Sequence, residues 1–251
     1  MSGHSKWSSI KHKKGAADAK RGQLFSKLSK AIIVAAKQGG PDPANNLALQ
    51  NAIEKAKSYS MPRDNIDRAV AKGSGADADA DAFESITYEG YGPEGVAVIV
   101  EALTDNKNRT AADVRHMFAK HGGNLGTDGS VSWQFERRGV VVVSAEGVDE
   151  EELFMAAADG GADDIEQDGS AFEITSAPEQ LAAVRSAVEV AGFTVESAEL
   201  VLVPKTTVAV DDESKARQVM RLVDALEEND DVQDVYANFD IPERVLEAVA
   251  G

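Results

Sequence analysis

The sequence predicts an α+β multidomain protein: an N-terminal three-helix domain plus two α/β domains, one ferredoxin-like and inserted into the other. Three observations carry this. Apolar residues recur at helical spacing up to residue 73 and at strand spacing from residue 83. Residues 139–203 read β-α-β-β-α-β, the ferredoxin-like order. The strand, helix and strand that follow cannot make a full sheet alone, so they are expected to return to the strands at 83–138. The expected division is a basic arm and helical domain (1–75), a linker (76–82), a discontinuous α/β domain (83–138 and 204–240), an inserted acidic domain (139–203) and a C-terminal tail (241–251).

Each element has a local reason. From Asp18 to Gln38, Leu24, Phe25, Leu28 and Ile32 share a helix face, and Gly39-Gly40 ends the helix. Asp42 before Pro43 reads as an N-cap, with Leu49, Ile53 and Ala56 as the buried stripe of a second helix. A third helix starts near Pro62, buries Ile66, Ala69 and Val70, and stops at Gly73. GSGADADADA (73–82) has no apolar residue larger than alanine and reads as a linker. FESITYEGYG (83–92) and VAVIVEAL (96–103) form a hairpin across Pro93-Glu94-Gly95. Thr110 to Asp113 resembles a capping box opening a helix that buries Val114, Met117 and Phe118 and ends at Gly122-Gly123. SVSWQFE (130–136) alternates as a strand. The insert follows as strand 140–145, helix 149–159, strands near 163–167 and 171–175, helix 178–191 and strand 195–203. The return adds a strand at 206–210, a helix at 212–228 burying Val219, Val223 and Leu226, and a strand at 232–238.

Charge is segregated. The chain carries -17 in all, yet residues 1–75 hold 14 Lys/Arg against 5 Asp/Glu, a balance of +9. The other 176 residues balance at -26, and residues 139–203 set Arg185 alone against 15 acidic residues. Fields are screened beyond about 8–10 Å, so local charge decides what each end touches.

Several function classes fall away. With no cysteine, thiolate catalysis, disulfides and Cys-based zinc sites are excluded. GYGPEG (90–95) matches a dinucleotide fingerprint, but a strand rather than a helix follows it, so no helix N-terminus is available for a pyrophosphate. His116 and His121 are five apart, off a common helix face, and Glu150 to Glu152 read as a solvated acidic helix start. No cofactor, metal site or enzymatic reaction is expected. The N-terminus lacks the apolar run of a secretory signal, Ser2 replaces the glycine of a myristoylation site, and no membrane-length apolar run occurs. A cytoplasmic location follows as the expectation.

A binding constellation remains. His4, Lys6, Trp7, Lys11, His12, Lys13, Lys14, Lys20 and Arg21 crowd the opening, with Lys27 on the helix beyond. Lysines and arginines release condensed counterions when they meet phosphates, which makes this end a candidate nucleic-acid surface. Trp7 has two readings, stacking on an unpaired base and packing on the helical domain. TDNKNRT (104–110), with Lys107 and Arg109 before a helix, suits an anion, and Arg137-Arg138 adds charge at a strand end.

MSGHSKW, IKHKK, AKRG, FSKL, TYEGYGPEGVAVIVEALTDNKNRT and GSVSWQFERRG together resemble the YebC/PmpR family of probable transcriptional regulators over essentially the whole chain. The Ala/Asp-rich stretch at 76–82 is where this sequence departs from the family pattern. The resemblance implies a helical first domain, two α/β domains and non-enzymatic nucleic-acid binding. Its mitochondrial relatives are translational activators for a cytochrome oxidase subunit. Two targets therefore stay open: DNA, for a transcriptional regulator, and ribosomal or transfer RNA, for a ribosome-associated translation factor that relieves stalling at proline-rich stretches. A basic protein is a further candidate partner for the acidic domain, and no membrane is implied.

Overall fold

The computed structural model describes residues 18–75, 83–168, 171–242 and 244–245. The basic opening through residue 17, the linker at 76–82 and the end of the tail lie outside the described residues. The chain divides into two compact units, Met1–Phe135 with Pro204–Gly251, and Glu136–Val203.

The first unit begins with three helices, α1 (Asp18–Gly39), α2 (Leu47–Ser58) and α3 (Arg63–Ser74). Leu28, Ile32 and Ala36 of α1, Leu49 and Ala56 of α2, and Ile66 and Ala69 of α3 form their common core. The crossing of α1 and α3 is close enough to require Gly73, where a Cβ would run into the Ile33 carbonyl and lie 2.8 Å from Ala36 Cβ. Helix α2 starts four residues later than Asp42-Pro43 suggests. Asp42 instead closes a turn through Ala44 N–H, while Asn46 caps the helix by accepting from Leu49 N–H and donates to the Ala35 and Gly40 carbonyls. A carboxamide both donates and accepts, so it joins the two helices in a way the Asp42 carboxylate cannot.

The sheet of this unit contains β1 (Glu84–Tyr91), β2 (Ala97–Thr104), β3 (Asn124–Leu125) and β9 (Val232–Ala237), in the order β3-β1-β2-β9. β1 and β2 are antiparallel with Glu84 opposite Thr104 and Tyr91 opposite Ala97, and GYGPEG ends β1 and makes the turn, at Pro93–Gly95, between them. β2 also pairs with β9, which closes the sheet with residues from the end of the chain. Helices α4 (Lys107–Lys120) and α7 (Glu213–Glu227) cover the sheet, burying Val114 and Phe118 from one and Val219, Leu222, Val223 and Leu226 from the other. A short parallel pair, β8 (Val208–Ala209) with β10 (Phe239–Asp240), completes the unit.

The second unit is built on β4 (Phe135–Ser144), α5 (Glu150–Asp159), β5 (Ala162–Asp168), β6 (Ala171–Ser176), α6 (Leu181–Val190) and β7 (Val195–Pro204). Its strands lie in the order β5-β6-β4-β7. That is the ferredoxin-like arrangement, inserted as expected. Val141, Val143, Phe172 and Ile174 of the sheet meet Leu153, Ala157, Val184 and Val188 of the two helices. Two further elements differ from the sequence pattern. Helix α4 begins one turn before Thr110, with Asn106 as its cap. SVSWQFE does not start as a strand: a tight helical turn occupies Ser132–Gln134 and β4 begins at Phe135.

Candidate nucleic-acid interface

The TDNKNRT segment does hold an anion, and the anion belongs to the chain. Asp231 Oδ2 accepts from Arg109 Nη2 at 2.8 Å, Thr110 Oγ1 at 2.9 Å and Thr104 Oγ1 at 3.2 Å. Lys30 Nζ, from helix α1, lies 3.3 Å from Asp231 Oδ1. Thr104, Thr110 and Asp231 are buried. Burial alone would raise the Asp231 pKa, but the hydrogen bonds from Arg109 and Thr110 and the Lys30 charge outweigh it and hold the carboxyl below its ordinary value. Asn106 caps α4 by accepting from Arg109 N–H, and Lys107 pairs with Glu84. The loop's two cations and its two threonine hydroxyls are thus engaged within the protein. Sequence spacing could not reveal this, because Asp231 lies more than 120 residues away.

Lys27 is also turned inward rather than toward a phosphate. It is 8% exposed, and its ammonium donates to the Glu227 carbonyl at 2.5 Å, at the C-terminus of α7. Gln23 donates to the next carbonyl, of Glu228, also at 2.5 Å. A cation there meets the negative end of the helix dipole. Lys55 reaches Asp234 at 2.6 Å. Lys27, Lys30 and Lys55 therefore join the helical domain to α7, β9 and the turn between them.

The cations that face water lie elsewhere. Arg21 is exposed and sits over the Phe25 ring at 5.6 Å. Lys57, Arg63, Arg68 and Lys72 are exposed on α2 and α3. Arg68 and Lys72 are four apart on one helix face, a spacing that could have marked them from the sequence. Lys20 lies in α1, its side chain outside those described, while His4, Lys6, Trp7, Lys11, His12, Lys13 and Lys14 fall outside the described residues. In the second unit Arg137 is exposed, whereas Arg138 bonds Glu136 at 2.8 Å and Asp163 at 2.6 Å.

The segment between β3 and β4 carries a feature the sequence did not disclose. Glu89 of β1, 7% exposed, accepts from Gly129 N–H at 2.8 Å through one carboxylate oxygen and from Val131 and Ser132 N–H at 2.7 and 2.8 Å through the other. Burial pushes the Glu89 carboxyl up, and these backbone donors pull it further down, to a net value below the ordinary one. Tyr91 and the Trp133 indole N–H both donate to the Ser130 carbonyl, at 3.0 and 3.1 Å. The indole itself remains 66% exposed. This capture of N–H groups by Glu89 is why 130–134 does not extend as a strand: its donors are already spent.

Among the described residues no group of three His, Asp or Glu side chains is placed to hold a metal ion. No helix of those residues is long and apolar enough to cross a membrane.

Helical domain, twice-crossed α/β domain and ferredoxin-like insert define a three-part protein class that carries exposed cations on its helices, among them Arg68 and Lys72. The N-terminal-domain model of the TACO1/YebC proteins matches residues 5–76, and the model of their second and third domains matches residues 83–239. This chain belongs to the TACO1/YebC family. A protein of Rubrobacter xylanophilus named probable transcriptional regulatory protein is 60% identical over 251 residues, covering all of both chains. One of the same name from Syntrophobacter fumaroxidans is 50% identical, again over the full length of both. A crystal structure of a conserved hypothetical protein from Aquifex aeolicus superposes with a TM-score of 0.81 at 50% identity, covering 90% of this chain and 93% of that one.

Proposed function

We propose that this protein is a non-enzymatic regulator of gene expression that binds nucleic acid through its basic opening and the outward cations of its helical domain, with DNA as the target of a transcriptional regulator. One observation carries the reading: residues 1–75 balance at +9 in a chain of -17. The names of the relatives above, probable transcriptional regulatory proteins, agree with it. His4, Lys6, Trp7, Lys11, His12, Lys13, Lys14, Lys20 and Arg21 form the primary contact, with Arg68 and Lys72 extending it and Arg137 adding charge on the second unit. Phosphate contacts of this kind position a partner without reading its sequence. The acidic remainder repels phosphate and limits indiscriminate adhesion.

RNA, as in a ribosome-associated translation factor, is the second reading. Exposed indole favours it, because aromatic faces stack on unpaired bases and a duplex offers none. Binding of the full chain to duplex DNA and to single-stranded RNA, measured from about 50 to 200 mM salt, tests both. Changing Lys11, Lys13 and Lys14 to Ala lowers the magnitude of the duplex salt slope by about 0.9 for each lost phosphate contact. An unchanged affinity and slope in the triple variant refutes the role of the basic opening.

A further inference from the structure

We infer that Trp133 is a stacking platform for one unpaired base, with Lys205 as its phosphate partner. The inference rests on the nucleic-acid reading above and names a contact outside the basic opening.

The argument starts from rigidity. The segment around Trp133 is tied at every second or third residue: Gly126 N–H to the Glu89 carbonyl, Gly129, Val131 and Ser132 N–H to the Glu89 carboxylate, and Gln134 N–H to the Val131 carbonyl. The Gln134 side chain accepts from Asn238 Nδ2 at 3.1 Å, and its carbonyl accepts from Lys205 N–H at 2.7 Å. An indole on such a support has little ordering left to lose when a ligand lands on it, which is the condition for a useful aromatic contact. Yet 66% of Trp133 faces water, although burying an aromatic ring is ordinarily favourable.

The edge of the ring decides the ligand. Ser130 O accepts from both Tyr91 and the indole N–H, so the one polar group of Trp133 is occupied. A peptide carbonyl has no donor to meet there. Proline-rich segments also dock in grooves lined by several aromatics, whereas the large exposed apolar side chains described in this unit are Trp133 and Leu47 alone. What Trp133 offers is a π face, and every base can use one. Lys205 completes the site: it is exposed and its ammonium donates to the Trp133 backbone carbonyl at 3.3 Å, which sets a cation at the residue that carries the ring. The site accepts single strands of any sequence and rejects paired bases, whose faces are already stacked.

The chain has two tryptophans, so Trp7→Phe leaves Trp133 as the sole indole of the full-length protein. Fluorescein-labelled 12-mers of oligouridylate and oligothymidylate, and a duplex of equal length, are titrated while label anisotropy reports binding and indole emission reports stacking. The expected result is quenching at saturation with the single strands and not with the duplex. In the otherwise wild-type chain, Trp133→Ala weakens single-strand affinity about tenfold, Trp133→Phe largely restores it, and Trp133→Leu does not. Single-strand binding without quenching, or equal affinity for the Ala and Phe variants, overturns the Trp133 site while leaving the nucleic-acid reading intact. Quenching by a proline-rich peptide in place of the oligonucleotides assigns the indole to a peptide and also overturns it. Failure of all three nucleic acids to bind the wild-type chain overturns both.

Discussion

Replacing Asp231 by Asn keeps the shape of the side chain and removes the charge on which Arg109, Thr110, Thr104 and Lys30 converge. One carboxylate oxygen becomes an NH2 group that cannot accept. Breaking a fully buried pair by removing one partner costs about 3–5 kcal/mol. Here the Asp231 side chain is 8% exposed but those of Arg109 and Lys30 are 48% and 23% exposed, so water recovers part of the loss. About 2–3 kcal/mol remains, in the range of a hydrogen bond to a charged group. For a unit of this size that lowers Tm by roughly 5–10 °C. Urea unfolding and a thermal scan measure it. A stability change under about 0.5 kcal/mol, the scale of an ordinary surface substitution, refutes the claim that Asp231 fills the seat formed by TDNKNRT. A cycle pairing Asp231→Asn with Lys30→Met isolates the tie to α1: additivity of the two changes shows that Lys30 contributes nothing.

Acid exposes the same groups. Asp231 and Glu89 both sit below their ordinary values, so their contribution is complete above the unfolded pKa values of about 3.9 and 4.3 and is lost as pH falls through the lower folded values. Tm should hold between pH 5 and 7, drop below about pH 4, and drop less steeply in Asp231→Asn; an identical acid limb in that variant contradicts the assignment. Glu89→Gln leaves one oxygen for three backbone donors and should cost about 1–3 kcal/mol while raising protease sensitivity between residues 126 and 134, read by mass spectrometry of the fragments. Gly73→Ala forces α1 from α3 and should cost about 1–3 kcal/mol by urea unfolding; a neutral result would mean that the helices part freely at Ile33 and Ala36.

The fold was legible where local chemistry is decisive. Apolar spacing at Leu28, Ile32 and Ala36, or at Val141 and Val143 and again at Phe172 and Ile174, depends on neighbours along the chain, and it marked the helices and the ferredoxin-like insert. The insertion followed because a solitary strand, helix and strand have nowhere else to bury their apolar faces. What escaped the sequence involves single polar side chains with distant partners. Lys27 looks like any helix lysine until α7 ends against it. SVSWQFE alternates correctly for a strand, and only the Glu89 carboxylate, some forty residues earlier, takes its N–H groups away. Asp42 and Asn46 both carry capping chemistry, and the choice falls on the one with a donor to spare for the Ala35 carbonyl.

Strand β9 has a consequence for the order in which a newly made chain acquires shape. It pairs with β2 across 130 residues or more, and Asp231, one residue before it, completes a site whose other members are made by residue 110. The insert needs nothing beyond residue 204 for its strands and helices. During synthesis from the N-terminus the three-helix core, made by residue 74, can close first and the insert next, while β2 waits with an open edge and Arg109, Thr110 and Lys30 wait for a carboxylate. Long-separation pairings of this kind are slow to form. A chain halted before residue 231 holds a finished acidic insert on an unfinished support.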